Sequence, residues 1–161
     1  MFTRKSSTAL LASALCGSLV FLPMSHQDGT TLDNDSLKAM LTNMGYAPTD
    51  LSKGYLIAIK RDSWTYNMQL VLSADQSKIG INANLGKVED VSSVTADQWR
   101  ILLEKNGDID PSSFYYDKDQ MKVYLHRTID NRAVTPAILL KQIDNFTTNI
   151  HETADAWSFL K

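Results

Sequence analysis

An α+β domain is what this sequence predicts: one antiparallel five-stranded sheet in the order α-β-β-β-α-β-β-α, with the helices packed on one face. Three observations carry that prediction. Residues 64–86 alternate apolar and polar side chains with period two, as half-buried antiparallel strands do, after an all-apolar strand at 55–59, and 114–126 read as a second hairpin. A helix-start signal, Thr95 with Gln98, stands between the two blocks. Helical periodicity opens and closes the region, so strands and helices come in runs and do not strictly alternate.

The first helix is short. Asp33, Asn34 and Asp35 offer N-cap oxygens, Leu37, Met40, Leu41 and Met44 recur at helical spacing, and Gly45 supplies a left-handed stop before Tyr46-Ala47-Pro48. The first strand, Tyr55-Leu56-Ile57-Ala58-Ile59-Lys60, is apolar on both faces. In the second, Trp64, Tyr66, Met68, Leu70 and Leu72 alternate with Thr65, Asn67, Gln69, Val71 and Ser73, so one face is core and the other wet. After a turn at 73–77, Ile79, Ile81, Ala83 and Leu85 alternate with Gly80, Asn82, Asn84 and Gly86. These three form a meander.

Thr95 and Gln98 form a capping box, with Trp99, Leu102 and Leu103 as the buried stripe of the second helix and Asn106-Gly107 as its end. Phe114-Tyr115-Tyr116 and Met121-Lys122-Val123-Tyr124-Leu125-His126 flank the turn Asp117-Lys118-Asp119-Gln120 as a second hairpin. Thr135 caps a last helix with Pro136 at its first position. Leu139, Ile143, Phe146, Ile150, Thr153, Trp157 and Leu160 carry it to the end of the chain.

The chain has 161 residues, 43% of them apolar, enough for one real core. A formal charge of −2, with no basic cluster, argues against nucleic acid as a partner. One cysteine, Cys16, allows neither a disulfide framework nor a CxxC site. Residues 1–25 have the order of an export signal: Arg4 and Lys5, an apolar run over 8–22, then Pro23-Met24-Ser25. That run is shorter than the ~20 residues of a comfortable membrane span, so no stable span is expected once it is removed. Pro23 lies at −3 for cleavage after Ser25, which leaves the cleavage site open and an uncleaved N-terminal anchor as the second reading. Lipidation at Cys16 is disfavoured by Leu15. Removal of Arg4 and Lys5 leaves residues 26–161 as a single domain at −4, periplasmic or secreted, held by its core alone.

The element order carries a resemblance. A short helix ending in Met44-Gly45-Tyr46, the aromatic-led strand from Trp64, the helix end Leu102-Leu103-Glu104-Lys105-Asn106 before Phe114, the strand Val123-Tyr124-Leu125, and a closing helix with Phe146, Thr153 and Trp157 resemble the type III secretion chaperone-like fold. Relatives of that fold include YbjN-type bacterial domains. The resemblance spans about residues 33–160, rests on spacing and hydrophobic pattern, and includes no catalytic signature. It implies a small, acidic, non-enzymatic protein that dimerises, here through the second helix and second hairpin, and holds another polypeptide. Such chaperones work in the cytoplasm, whereas this chain carries an export signal, so the cargo role does not transfer directly.

Chemistry is sparse. There is no GxSxG elbow or HExxH, the histidines His26, His126 and His151 have no ligand spacing, and neither an enzyme, a metal site nor a cofactor is expected. Residues 106–117 place oxygens like a calcium loop, but Pro111 stands where Gly is wanted and Asp117 where a longer Glu is. They read as a helix cap, ended by Gly107, and a solvated turn. Asn145-Phe146-Thr147 is a glycosylation sequon set inside a helix. Trp64, Trp99, Phe146 and Trp157 fall on apolar faces and are expected in the core.

The informative surface is the wet face of the sheet. Asn67, Gln69, Asn82, Asn84, Tyr115, Lys122, Tyr124 and His126 project from it, with Val71 as its apolar member and Leu56 and Ala58 beside it. The candidate partner contacts are therefore Leu56, Asn67, Gln69, Val71, Asn82, Asn84, Tyr115, Tyr124 and His126. Two functions fit them: an exported chaperone-like or scaffold domain that binds protein, or an extracytoplasmic binder of a glycan or other small polar ligand, which needs a concavity.

Overall fold

A computed structural model describes residues 31–160. The expected export signal at 1–25, Cys16 and His26 lie outside the described residues.

Helix α1 (Asn34–Asn43) starts where Asp33 accepts the Ser36 backbone N–H at 2.8 Å. It ends in paired bonds, Gly45 N–H to Thr42 and Tyr46 N–H to Leu41, that require the positive φ of Gly45, +89°. Six strands follow from that point: β1 (Thr49–Asp50), β2 (Tyr55–Arg61), β3 (Trp64–Leu72), β4 (Lys78–Lys87), β5 (Ser112–Asp117) and β6 (Lys122–Asp130). They form one antiparallel sheet in the order β1-β2-β3-β4-β6-β5. The sequence predicts five. The sixth, β1, is a two-residue strand that pairs Thr49 with Leu56 and Asp50 with Tyr55, too short to leave a periodic signal.

Helix α2 (Ala96–Asp108) opens on the capping box: Gln98 N–H donates to Thr95 Oγ1 at 3.2 Å and Thr95 N–H to Gln98 Oε1 at 2.8 Å. It runs through Gly107 and does not stop there. Helix α3 (Pro136–Glu152) begins at Thr135, which caps Ile138. The expected continuous last helix breaks at Thr153, whose hydroxyl donates to the Asn149 carbonyl at 2.6 Å, and a short α4 (Ala154–Trp157) follows. Back-bonding of this kind competes with the helical ladder and bends helices.

The helices close one core with the inner face of the sheet. Leu37 and Leu41 of α1, Ile57, Met68, Leu70, Ile79, Ile81 and Leu125 of the strands, and Leu139, Ile143 and Phe146 of α3 are fully buried. Each such side chain contributes about 1.5–3 kcal/mol by leaving water. The aromatic residues divide: Phe146 is core, but Trp64 is 38% exposed, stacked on Tyr66 and packed edge-to-face on Trp157. Trp99 is half-buried against Tyr116 and Phe159. Among the described residues no helix is long and apolar enough to cross a membrane.

Candidate functional site

Antiparallel register fixes which side chains share a face. On the outer face Leu56 pairs with Gln69, Gln69 with Asn82, and Asn82 with His126, a row that crosses four strands and ends on Ser113. A second row joins Asn84, Tyr124 and Tyr115. Ala58 pairs with Asn67, and Val71 with Gly80 and, through it, Thr128. All nine candidate contact residues thus lie on one face. The two rows of amides are not continuous, however, because β3 and β4 pair only from Gln69 and Asn82 to Leu72 and Ile79. Beyond that point they part, and a cavity of about 130 Å³ lies between Asn67 and Asn84, walled by Trp64, Tyr66, Ile150 and Trp157. The bulge between Asn84 and Gly86 accompanies the divergence.

His126, one strand in from the β5 edge, ties together side chains of three strands on this face. The sequence places it at a strand end, but β6 continues to Asp130 and His126 sits mid-strand. Its Nδ1 is 2.7 Å from Asn82 Oδ1 and its Nε2 2.7 Å from Thr128 Oγ1. Because the amide oxygen only accepts, Nδ1 carries the proton and Nε2 accepts from the Thr128 hydroxyl. Burial pushes the imidazole pKa below its ordinary value. Tyr115 meets the ring edge-to-face at 6.1 Å and stacks on Tyr124 at 5.3 Å, and Tyr124 donates to Gln120 Oε1 at 2.9 Å. Burial raises both phenols, so both stay neutral.

Leu56 is half-buried, covered in part by β1, while Ala58 is exposed. Gln69 is tied down: its amide donates to the Lys53 carbonyl at 2.7 Å, which fastens the 51–54 turn to the rim of the face. A depression of about 380 Å³ beside Val71 is lined by that turn and by Ser73 and Gln76. Neither hollow includes the row through His126.

A second surface was not legible in the sequence. Leu103, expected in the buried stripe of α2, is 69% exposed, and only Leu102 of that stripe is fully buried. One residue step on a helix turns the side chain by about 100°, so with Leu102 and Trp99 against the sheet, Leu103 faces outward. Together with Trp99, Leu102, Phe114, Tyr115 and Tyr116 it lines an apolar groove of about 280 Å³ along β5, an edge strand.

A buried polar cluster was also missed. Arg127 occupies a core-facing register position opposite Ile81, is 3% exposed, and donates to Ser112 Oγ at 2.9 Å and Gln142 Oε1 at 3.0 Å. Asn149 donates to Ser112 Oγ and to the Ile109 carbonyl, both at 3.1 Å. The cluster joins β5 and β6 to α3, and desolvation lowers the guanidinium pKa.

The remaining motifs resolve into ordinary structure. Residues 106–117 do not form a twelve-residue loop: Asn106 and Asp108 are in α2, Ser112–Asp117 is β5, and Asn106 Oδ1 accepts the Phe114 N–H at 2.7 Å. In the sequon, Thr147 is buried and donates to the Ile143 carbonyl. His151 Nδ1 lies 2.9 Å from the Tyr66 hydroxyl.

No family model and no curated protein matches the chain. Solved structures do. YbjN from E. coli superposes with a TM-score of 0.60 at 15% identity, over 79% of this chain and 96% of that one. A chain of the ExsC-ExsE complex superposes at 0.52 with 16% identity, over 74% and 92%. A chain of the HopA1-SchA chaperone-effector complex superposes at 0.51 with 8% identity, over 72% and 88%. At such identities the likeness speaks for the fold, and the fold of this chain is that of the type III secretion chaperone-like domains.

Proposed function

We propose that this chain is a non-enzymatic, exported polypeptide-binding domain of the chaperone-like or scaffold kind. It works as a homodimer through the β5 groove and receives its partner on the outer sheet face. The observation that carries the reading is the groove. A helix with one buried leucine presents the next, Leu103, to solvent beside an edge strand, and an exposed apolar strip on an unpaired edge is a surface that a second copy covers. The likeness to chains from a chaperone-effector complex supports a protein partner. The uncharged amides and tyrosines of the outer face suit a segment recognised by hydrogen bonds and ring contacts. Export is supported by Arg4, Lys5 and the apolar run at 8–22.

Light scattering on residues 26–161 tests the dimer. The wild type is expected at twice the monomer mass and Leu103→Glu at monomer mass, still folded by circular dichroism because the side chain is exposed in the single chain, with any loss of Tm confined to the concentration-dependent part that the dimer supplies. A wild-type monomer at high micromolar concentration refutes the groove as a self-interface. Fusing residues 1–25 to a reporter that folds only outside the cytoplasm tests export, and an inactive reporter refutes it.

A further inference from the structure

We infer that His126 is a pH-sensitive element of the outer sheet face, an uncharged ring at neutral pH and an isolated cation on that face, one strand in from the β5 edge, in mild acid. Its use in releasing a partner rests on the face being the contact surface proposed above. The titration itself does not.

The surroundings of the ring set this behaviour. β3 presents Gln69 and Val71 to it, β4 presents Asn82 and Gly80, β5 presents Ser113 and Tyr115, and β6 presents Tyr124 and Thr128. None of these is charged at neutral pH. The charged side chains on the same face are Lys122 with Asp117 and Lys87 at one end, Asp130 with Lys78 at the other, and Lys60 on β2, three strands away. Lys122 and Asp130 each lie four residues along β6 from His126, roughly 13 Å at strand rise, beyond the ~8 Å screening length of physiological salt. An imidazolium therefore finds no carboxylate to compensate it.

The ring is also held down. A Cβ built on Gly80 would lie 3.5 Å from His126 Cε1 and 3.3 Å from a Val71 methyl, so His126 and Val71 close over the space that Gly80 leaves. Protonation adds a solvent proton to Nε2 and converts Thr128 Oγ1 from donor to acceptor. No covalent bond changes. Both nitrogens then donate, the hydrogen bonds survive, and what changes is one charge placed on a half-desolvated ring. A partner docked through neutral amides and tyrosines at pH 7 would meet a half-desolvated cation in mild acid.

The test is an NMR titration of the histidine ring signals of the full chain, with His126→Gln identifying the signal. Melting curves of both proteins at pH 7.5 and 5.5 accompany it. The expected result is a His126 midpoint below the 6.5 of a free imidazole and a fall in Tm on acidification that is smaller in His126→Gln than in the wild type. A midpoint at or above 6.5, or equal falls in Tm, overturns the inference. Glutamine retains an amide donor toward Asn82, so the variant is expected to fold. Neither readout involves a partner, so failure of the docking proposal leaves this result standing, and failure here leaves that proposal untouched.

Discussion

Gly54 and Gly45 offer a matched pair of substitutions whose difference isolates a single steric contact. Both have positive φ, +75° and +89°, and alanine at either carries a backbone strain of about 1–3 kcal/mol, offset equally by the lower entropy of the unfolded chain. At Gly45 an added Cβ meets nothing within 4 Å. At Gly54 it would stand 2.0 Å from the Leu70 carbonyl oxygen, more than an ångström short of ordinary contact, and 2.9 Å from the Val71 Cα, itself too close. The obstacle is the backbone of β3. Leu70 is registered between Tyr55 and Ile81, so it cannot retreat without loosening a ladder, and each buried peptide group left unpaired costs about 1–3 kcal/mol. Gly54→Ala is therefore expected to lose at least ~2 kcal/mol more than Gly45→Ala, a large share of the 5–15 kcal/mol that holds a typical domain. Urea unfolding followed by tryptophan fluorescence measures both. A difference below about 1 kcal/mol would refute the claim that the close approach of the 51–54 turn to β3 requires glycine. It would also refute the account of how Lys53 is brought within reach of Gln69.

Acid is expected to destabilise the protein a second time, below the range of His126. Serine hydroxyls and a backbone N–H hold Asp75 at a pKa of about 2, and Arg132 holds Asp130 well below the carboxylate range. Folded values depressed below 3.8 give stability that is present above pH 3.8 and lost as pH falls through the folded values, so Asp75→Asn should flatten the drop in Tm between pH 4 and 2. An unchanged drop contradicts the assignment. Millimolar calcium is expected to leave Tm unmoved, because Asn106 already serves the Phe114 N–H and Ser112–Asp117 is strand. A rise of more than a degree or two would show a site that this geometry does not contain.

What the sequence revealed and what it hid follow the range of the interactions involved. The Thr95 and Gln98 box, the Gly45 stop and the Thr135 cap are closed within a few residues, and each is found where the residues predict it. Period two assigns all nine candidate contacts to one face for the same reason. Distant information is lost. Leu102 and Leu103 are equally apolar, and only the position of β5, which follows in the chain, decides which of them is buried. Arg127 interrupts the alternation at a core position, tolerated because Ser112 and Gln142, fifteen residues away on either side, supply its oxygens. Strand β1 exists only because the 51–54 turn folds Thr49 back onto Leu56. The parting of β3 from β4 comes with a bulge in the pairing of β4 with β6, which composition does not mark.

Tyr115 belongs to both surfaces. Its ring lines the groove with Leu103 and Trp99, and it stacks on Tyr124 and abuts His126 on the outer face. Covering the groove with a second copy would immobilise that ring, and a ring held in the stack is held against the imidazole as well. The polar cluster on the inner side of the same hairpin makes it stiff. Arg127 alternates with His126 along β6 and anchors the strand to Ser112 and to Gln142 of α3, so the hairpin that carries Tyr115, Tyr124 and His126 cannot swing as a free flap. If the groove is a self-interface and the outer face a contact surface, as proposed above, Tyr115 is the side chain they share. Tyr115→Ala is then expected to weaken both self-association by light scattering and the shift of the His126 ring signal, whereas an effect on one alone would refute a shared role.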